Sequence, residues 1–167
     1  MKRAVAVVFG VAVVIGVAVQ STAASSDGGD VLKFDTMATV LEPLTGAAHP
    51  VRGIAGGGLP WELDKADGAL RAGGRLDVSV EGLVLARRAP VPENMQGTNP
   101  SAQLRAVVSC LTPAMPDQGV TVATDPVPAS PEGDARIRAT VDLPEPCIAP
   151  VVFVTSPTGA WFAATGR

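Results

Sequence analysis

Apolar and polar residues alternate in two long segments of the chain, the pattern of β-strands with one buried face. The alternating apolar positions are Ala102, Leu104, Ala106, Val108 and Cys110 in the first segment, and Ala135, Ile137, Ala139, Val141 and Leu143 in the second. In the first segment, Gln103, Arg105 and Ser109 fall on the opposite face. The uninterrupted apolar run at 151–154 instead predicts a strand buried on both faces, followed by a turn at 156–159 and a short strand with Trp161 and Phe162.

The N-terminal half predicts shorter strands, at 31–34 and 36–41, and a hairpin. Asp67-Gly68 predicts a turn, Gly73-Gly74 a second two-residue connection, and residues 75–85 the return strand. Gly82 shifts the phase of the alternation in that return strand, which predicts a β-bulge. Proline and glycine indicate a long connection at 86–101 and another turn at 113–119.

Short strands between glycine- and proline-rich turns, with no helical stripe, predict an all-β fold. We expect an antiparallel β-sandwich, of immunoglobulin-like or barrel-like type, in a single domain over residues 31–167. Residues 25–30 are predicted to be a flexible N-terminus of the mature chain.

Residues 1–24 have the three-part layout of a secretory signal peptide. Lys2 and Arg3 precede a continuous apolar or glycine run at 4–19, and small residues follow. We predict a signal helix that is cleaved after Ala24, or alternatively after Ala23. The alternative is an uncleaved membrane anchor, but the apolar run is shorter than the ~20 residues of a membrane-spanning helix. The chain is therefore expected to be secreted and extracellular, with no membrane association after cleavage.

Cys110 and Cys147 are the two cysteines of the chain. In an exported protein they are expected to form a disulfide, which would tie the edge of one sheet to the start of a central strand. A metal site is not expected, because His49 is the one histidine and no Cys-x-x-Cys spacing occurs. We also predict no cofactor.

The formal net charge is −3, and Lys2 and Arg3 leave with the signal peptide. Arg87 and Arg88 form the one adjacent pair in the mature chain, so no basic stripe is available for nucleic acid. The pair is typical of a solvated loop, or of a contact to a protein partner.

Candidate chemistry is sparse. His49 lacks an accompanying Gly-x-Ser-x-Gly motif, and the acidic cluster Glu62, Asp64 and Asp67 has too few ligands for calcium and includes Lys65. The glycine-rich segment 53–58 lacks the Lys-Ser/Thr pair of a phosphate-binding loop. No catalytic residue is predicted.

Trp61 is either a core or loop-anchoring ring, or an exposed platform beside the glycine-rich segment. Trp61, Arg87 and Arg88 are the candidate binding residues.

Several short motifs occur along the mature chain: Gly56-Gly57-Gly58-Leu59-Pro60-Trp61, Glu81-Gly82-Leu83-Val84-Leu85, Gly97-Thr98-Asn99-Pro100, Val107-Val108-Ser109-Cys110, Leu143-Pro144-Glu145-Pro146-Cys147 and Val152-Phe153-Val154-Thr155-Ser156-Pro157. Together they resemble small exported proteins of actinobacterial type. This resemblance implies secretion and one β-domain, and it carries over no catalytic residue.

Two functions follow as hypotheses. The first is a non-enzymatic extracellular or cell-envelope protein that binds another protein or an envelope component through its glycine- and proline-rich loops. The second is a small secreted hydrolase, or an accessory to one, that uses His49 or the acids Glu62, Asp64 and Asp67.

Overall fold

A computed structural model describes residues 28–166 of the chain. The predicted signal helix at 1–24, and residues 25–27 of the predicted flexible N-terminus, lie outside this range. Within it the chain forms twelve strands and a short 3-10 helix at Glu93–Met95. The strands are β1 Asp30–Phe34, β2 Ala38–Thr39, β3 Trp61–Glu62, β4 Lys65–Arg71, β5 Arg75–Glu81, β6 Val84–Leu85, β7 Gln103–Thr112, β8 Met115–Ala123, β9 Val127–Pro128, β10 Ala135–Thr140, β11 Ile148–Thr155 and β12 Trp161–Ala164.

The strands form two main antiparallel sheets, which confirms the predicted β-sandwich. The first sheet has the order β1-β4-β5-β10, and the second has the order β2-β12-β11-β7-β8 with β9 also paired to β7. The two sheets remain separate, so the sandwich rather than the barrel form is observed. A small third sheet joins β3 to β6. Residues 86–102 connect the small sheet to the second main sheet. The prolines of this segment predict such a long connection.

The first sheet follows the alternation rule closely. Leu76, Val78 and Val80 of β5 are almost completely buried, while Asp77 and Ser79 between them are partly exposed. The buried row continues on both sides, because Leu76 pairs with Leu70 of β4 and Val78 pairs with Ile137 of β10. This sheet therefore buries one face and exposes the other.

The second sheet is buried on both faces along β7 and β11. Val108 and Ala106 pair with Val152 and Val154 on the face toward the first sheet. Val107 and Ser109, on the opposite face, are also buried, so β7 has no exposed face at these positions. The prediction of a doubly buried strand at 151–154 is confirmed for β11, where Phe153 has no exposed surface.

A long segment without strands explains this second buried face. Residues 41–60, called the strap, run over the face of the second sheet that points away from the first sheet, called the outer face. Backbone hydrogen bonds attach the strap to the start of β12, from Gly57 N to Trp161 O at 2.8 Å and from Trp161 N to Ala55 O at 3.0 Å. Within the strap, the close approach of Gly56 to Leu44 needs glycine, because a Cβ atom at Gly56 would collide with the carbonyl oxygen of Leu44.

The structure corrects two predicted turns. Asp67-Gly68 lies inside β4, because Gly68 makes room for the ring of Phe34 on the neighbouring strand. The predicted turn at 113–119 is shorter, since β8 begins at Met115 and pairs back to Thr112. By contrast, the turn predicted at Gly73-Gly74 is present, and Gly74 has a φ of +78°, but the connection spans three residues, 72–74, rather than two.

The predicted return strand at 75–85 is divided in two. β5 ends at Glu81, Gly82 adopts a φ of +69°, and β6 begins at Val84 in the small sheet. The phase shift at Gly82 thus marks the end of one strand rather than a bulge within it, because the left-handed backbone conformation redirects the chain.

The predicted disulfide between Cys110 and Cys147 is present, with Cα atoms 4.8 Å apart. It joins β7 to the residue that precedes β11, and these two strands are neighbours inside the second sheet. The expectation that the bond ties a sheet edge is therefore wrong, because β8 and not β7 forms that edge.

Residues 28–166 contain no helix that is long and apolar enough to cross a membrane.

An ion-pair cluster crosses the exposed face of the first sheet at Asp77. Arg136 donates to both carboxylate oxygens, at 3.2 and 3.0 Å, and Arg138 Nε donates to Asp77 Oδ2 at 3.2 Å. Partial burial acts to raise the pKa of Asp77, but the hydrogen bonds and charges of Arg136 and Arg138 outweigh it and hold the pKa below its ordinary value. The charged form is therefore favoured in the folded state.

Asp77→Asn is expected to lower the free energy of unfolding by about 0.5 kcal/mol at pH 7, a small effect because the carboxylate side chain is 43% exposed. A lowered folded-state pKa stabilises the fold above the unfolded-state pKa of about 3.9, and this contribution disappears as pH falls through the folded-state value. Urea titrations from pH 7 to pH 2 should therefore show the two proteins converge in acid. Asp125→Asn, which removes an exposed carboxylate outside these ion pairs, is the control. A difference that stays constant down to pH 2 would contradict the assignment.

Candidate binding groove

A groove of about 490 Å³ lies on the outer face of the second sheet. Its floor is formed by β7 and β8, one wall by the strap, and the other wall by the turn between β11 and β12. The lining residues are Gly53, Ile54, Ala55, Arg105, Val107, Thr121, Ala123, Thr158, Gly159 and Ala160. The volume lies in the range of about 300–1,000 Å³ that is usual for small-ligand sites.

Arg105 places a positive charge in this lining. It lies on β7 opposite Thr155 of β11, on the outer face. Its Nε atom is buried and has no hydrogen-bond partner. No ion pair of the described residues includes Arg105. The guanidinium group therefore has an unused donor and no carboxylate neighbour in residues 28–166.

The strap wall is fixed at its tip by a two-residue turn. Val51 and Ile54 exchange two backbone hydrogen bonds, and the residues between them, Arg52 and Gly53, have φ values of +52° and +77°. Arg52 Nη2 donates to the carbonyl oxygen of Ala149 at the start of β11, at 3.1 Å. On the other side, Gly53 lies against the side chain of Gln118 on β8. The tip thus crosses the sheet from β11 to β8 and limits one end of the groove.

The opposite wall is a tightly bonded turn at 156–160. The backbone groups of Ser156 and Ala160 bond at 2.8 Å, and Ser156 Oγ accepts a hydrogen bond from Ala160 N at 3.2 Å. Ser156 Oγ and Thr158 Oγ1 are 2.9 Å apart. Gly159, at a φ of +103°, lies beside Arg105, where an added Cβ atom would be 3.4 Å from Nη2. The turn predicted at 156–159 therefore forms a defined wall next to the arginine.

The lining of the groove has a mixed chemistry. Its lining combines one cationic side chain, the hydroxyl groups of Thr121 and Thr158, and small apolar side chains. The lining contains no histidine, carboxylate or cysteine. A nucleophile paired with a general base cannot be assembled from these residues.

Trp61, a predicted binding residue, is only 3% exposed. Its ring stacks on Phe162 with the ring centroids 3.9 Å apart. The structure therefore shows the core and loop-anchoring alternative for this ring, which supports the strap from below and offers no exposed platform.

Arg87 and Arg88, the other predicted binding residues, are exposed and do not line the groove. Arg87 pairs with Glu62, since its Nη1 atom lies 3.4 Å from Glu62 Oε2 and its backbone N–H donates to Glu62 Oε1 at 3.2 Å. Partner contacts by these two arginines stay a prediction.

The residues proposed for a hydrolase have separate partners. His49 is exposed on the strap, Glu62 pairs with Arg87, and Asp67 pairs with Lys65 at 3.4 Å. Asp64 lies beside Gly82. In the described part of the chain, no group of three or more His, Cys, Asp or Glu side chains could hold a metal ion. No contact among these residues supports joint catalysis.

Arg105 was not predicted as a site residue, because in the sequence it falls only on the polar face of a strand. The sequence did offer one signal, because Arg105 directly precedes a run of apolar residues. An arginine next to buried positions requires a partner or a route to solvent. The burial of both faces of β7 became evident only from the path of the strap.

Comparisons with protein-family models, with curated proteins and with solved structures give no match for this chain.

Proposed function

We propose that this chain is an exported, non-enzymatic binding protein of the extracellular space or cell envelope, which holds a protein or envelope partner in the outer-face groove. Export is supported by the signal-type sequence at 1–24 and by the disulfide, because disulfides persist mainly in oxidising compartments.

The observation that carries this proposal is the unpaired arginine in a preformed groove. A buried donor without a partner costs free energy, of the order of 1–3 kcal/mol. A fold keeps such a group more readily where a ligand completes its hydrogen bonds. The strap and the turn at 156–160 hold the groove open through their own hydrogen bonds, so its shape exists before a partner arrives.

The groove is also preferred over a second depression of the described surface. That depression, of about 390 Å³, lies beside Cys147 and includes the acidic Asp142 and Glu145. None of the buried donors without partners belongs to its lining.

Blocking the groove should abolish partner binding. Ala123→Arg places a long side chain on the floor, while Ala102→Arg makes the same change at an exposed position outside the groove. The mature domain and both variants would be immobilised and exposed to culture fluid and to solubilised envelope of the source cells. We expect capture by the parent and by Ala102→Arg, with loss for Ala123→Arg after circular dichroism has shown all three to be folded. Equal capture by all three proteins would contradict a role for the groove.

A further inference from the structure

We infer that the outer-face groove recognises the free C-terminal carboxylate of a peptide, with Arg105 as the residue that binds the charge. This inference rests on the proposed function, and it names the ligand class of the same groove.

The charge of Arg105 determines the chemistry of the ligand. A guanidinium group stays protonated at any physiological pH and takes a carboxylate through two parallel N–H donors. The Nε–H and a neighbouring Nη–H form one of the two edges that make such a pair. Because Nε has no partner in the described structure, this edge is unused. Binding would turn the flexible side chain so that the edge faces the groove.

The groove itself supplies no countercharge. None of its lining residues is acidic, and no ion pair of residues 28–166 includes Arg105. An anionic ligand therefore meets no repulsion from a carboxylate in the lining, and it displaces no internal ion pair.

The rest of the lining favours a peptide over an acidic sugar. Ile54, Val107, Ala123 and Ala160 offer small apolar contacts, and Thr121 and Thr158 add hydroxyl groups. Sugar sites usually stack the ring of the sugar on an exposed aromatic side chain. Trp61, Phe153, Trp161 and Phe162 are all buried, and Phe34 belongs to the first sheet.

The decisive comparison uses two probes that differ in one group. An N-acetylated tetra-alanine peptide with a free C-terminal acid and the same peptide with a C-terminal amide would be titrated into the mature domain by calorimetry. We expect the acid to bind about 10- to 100-fold more tightly, which is the usual value of a hydrogen-bonded charge pair. This test needs no variant, so it does not depend on the folding of a mutant.

Variants then locate the effect. Arg105→Gln should remove the preference for the acid, and Arg105→Lys should restore only part of it because lysine lacks the planar fork. Arg138→Gln removes an exposed arginine on the first sheet, outside the groove, and should leave the preference unchanged.

Equal affinity for acid and amide would overturn the carboxylate assignment and leave a peptide-binding groove. Binding of sodium glucuronate without binding of either peptide would overturn the peptide as the source of the carboxylate. If no probe binds while Ala123→Arg still abolishes partner capture, this inference fails and the proposed function stands. If Ala123→Arg leaves capture intact, the proposed function itself fails.

Discussion

Replacement of both Cys110 and Cys147 by alanine should lower the free energy of unfolding by about 4 kcal/mol. The bond closes a loop with a sequence separation of 37 residues, and opening it restores chain entropy to the unfolded state. For a domain of this size the loss corresponds to a fall in Tm of about 12 °C. Calorimetry in non-reducing buffer would measure it.

The same experiment has an internal control. Addition of a reductant should bring the parent protein down to the Tm of the double variant and leave the variant unchanged. Alanine is preferred to serine because Cys110 is completely buried and a hydroxyl group there would need a partner. Equal Tm values for parent and variant in non-reducing buffer would contradict a stabilising role for the disulfide.

Phe153→Ala should lower the free energy of unfolding by about 4 kcal/mol, a value within the usual range for deletion of a buried aromatic ring. Phe153 has no exposed surface, pairs with Val107 on the outer face, and packs edge-to-face against Trp161 with the ring centroids 6.0 Å apart. Urea denaturation of parent and variant would give the difference. The size of the effect reports directly on whether the outer face is covered.

Phe34→Ala is the matched control, since Phe34 is only partly buried and lies on β1 at the edge of the first sheet. Its loss should cost clearly less than that of Phe153. If Phe153→Ala lowers the free energy of unfolding by less than about 1 kcal/mol, the ring is exposed to solvent. That result would contradict coverage of the outer face by the strap.

Local patterns were sufficient to predict most strands of this fold. The alternation at Leu76, Val78 and Val80 depends on which face of a single strand meets the core, and it was confirmed. The position of the Gly73-Gly74 turn, though not the length of its loop, and the disulfide were also predictable, because each depends on local geometry or on compartment.

The predictions that failed depend on partners distant in sequence. Asp67-Gly68 has the composition of a turn, but Gly68 is needed inside β4 because Phe34 of β1 packs over it. Ser109 is polar but buried, on a face where the alternation alone gives no sign of a covering segment. A single-strand pattern contains no information about such long-range coverage.

The candidate site was less predictable than the fold. Trp61 was recognised as the ring beside the glycine-rich segment, but its burial depends on the stacking partner Phe162, which lies about a hundred residues further along the chain. Arg105 became a candidate only when the strap and the turn at 156–160 were seen on either side of it. The burial of Trp61 and the position of Arg105 in the groove both depend on the tertiary arrangement of distant segments.

The central claim is that Arg105 in the outer-face groove meets the carboxylate of a ligand. Its most direct test is the NMR signal of the Arg105 Nε–H group, assigned by its absence from Arg105→Lys and followed during titration with the acid and amide tetra-alanine peptides. The account predicts that the acid shifts this signal and slows its exchange with water, while the amide has little effect. A signal that does not move with either peptide at saturation would contradict the account.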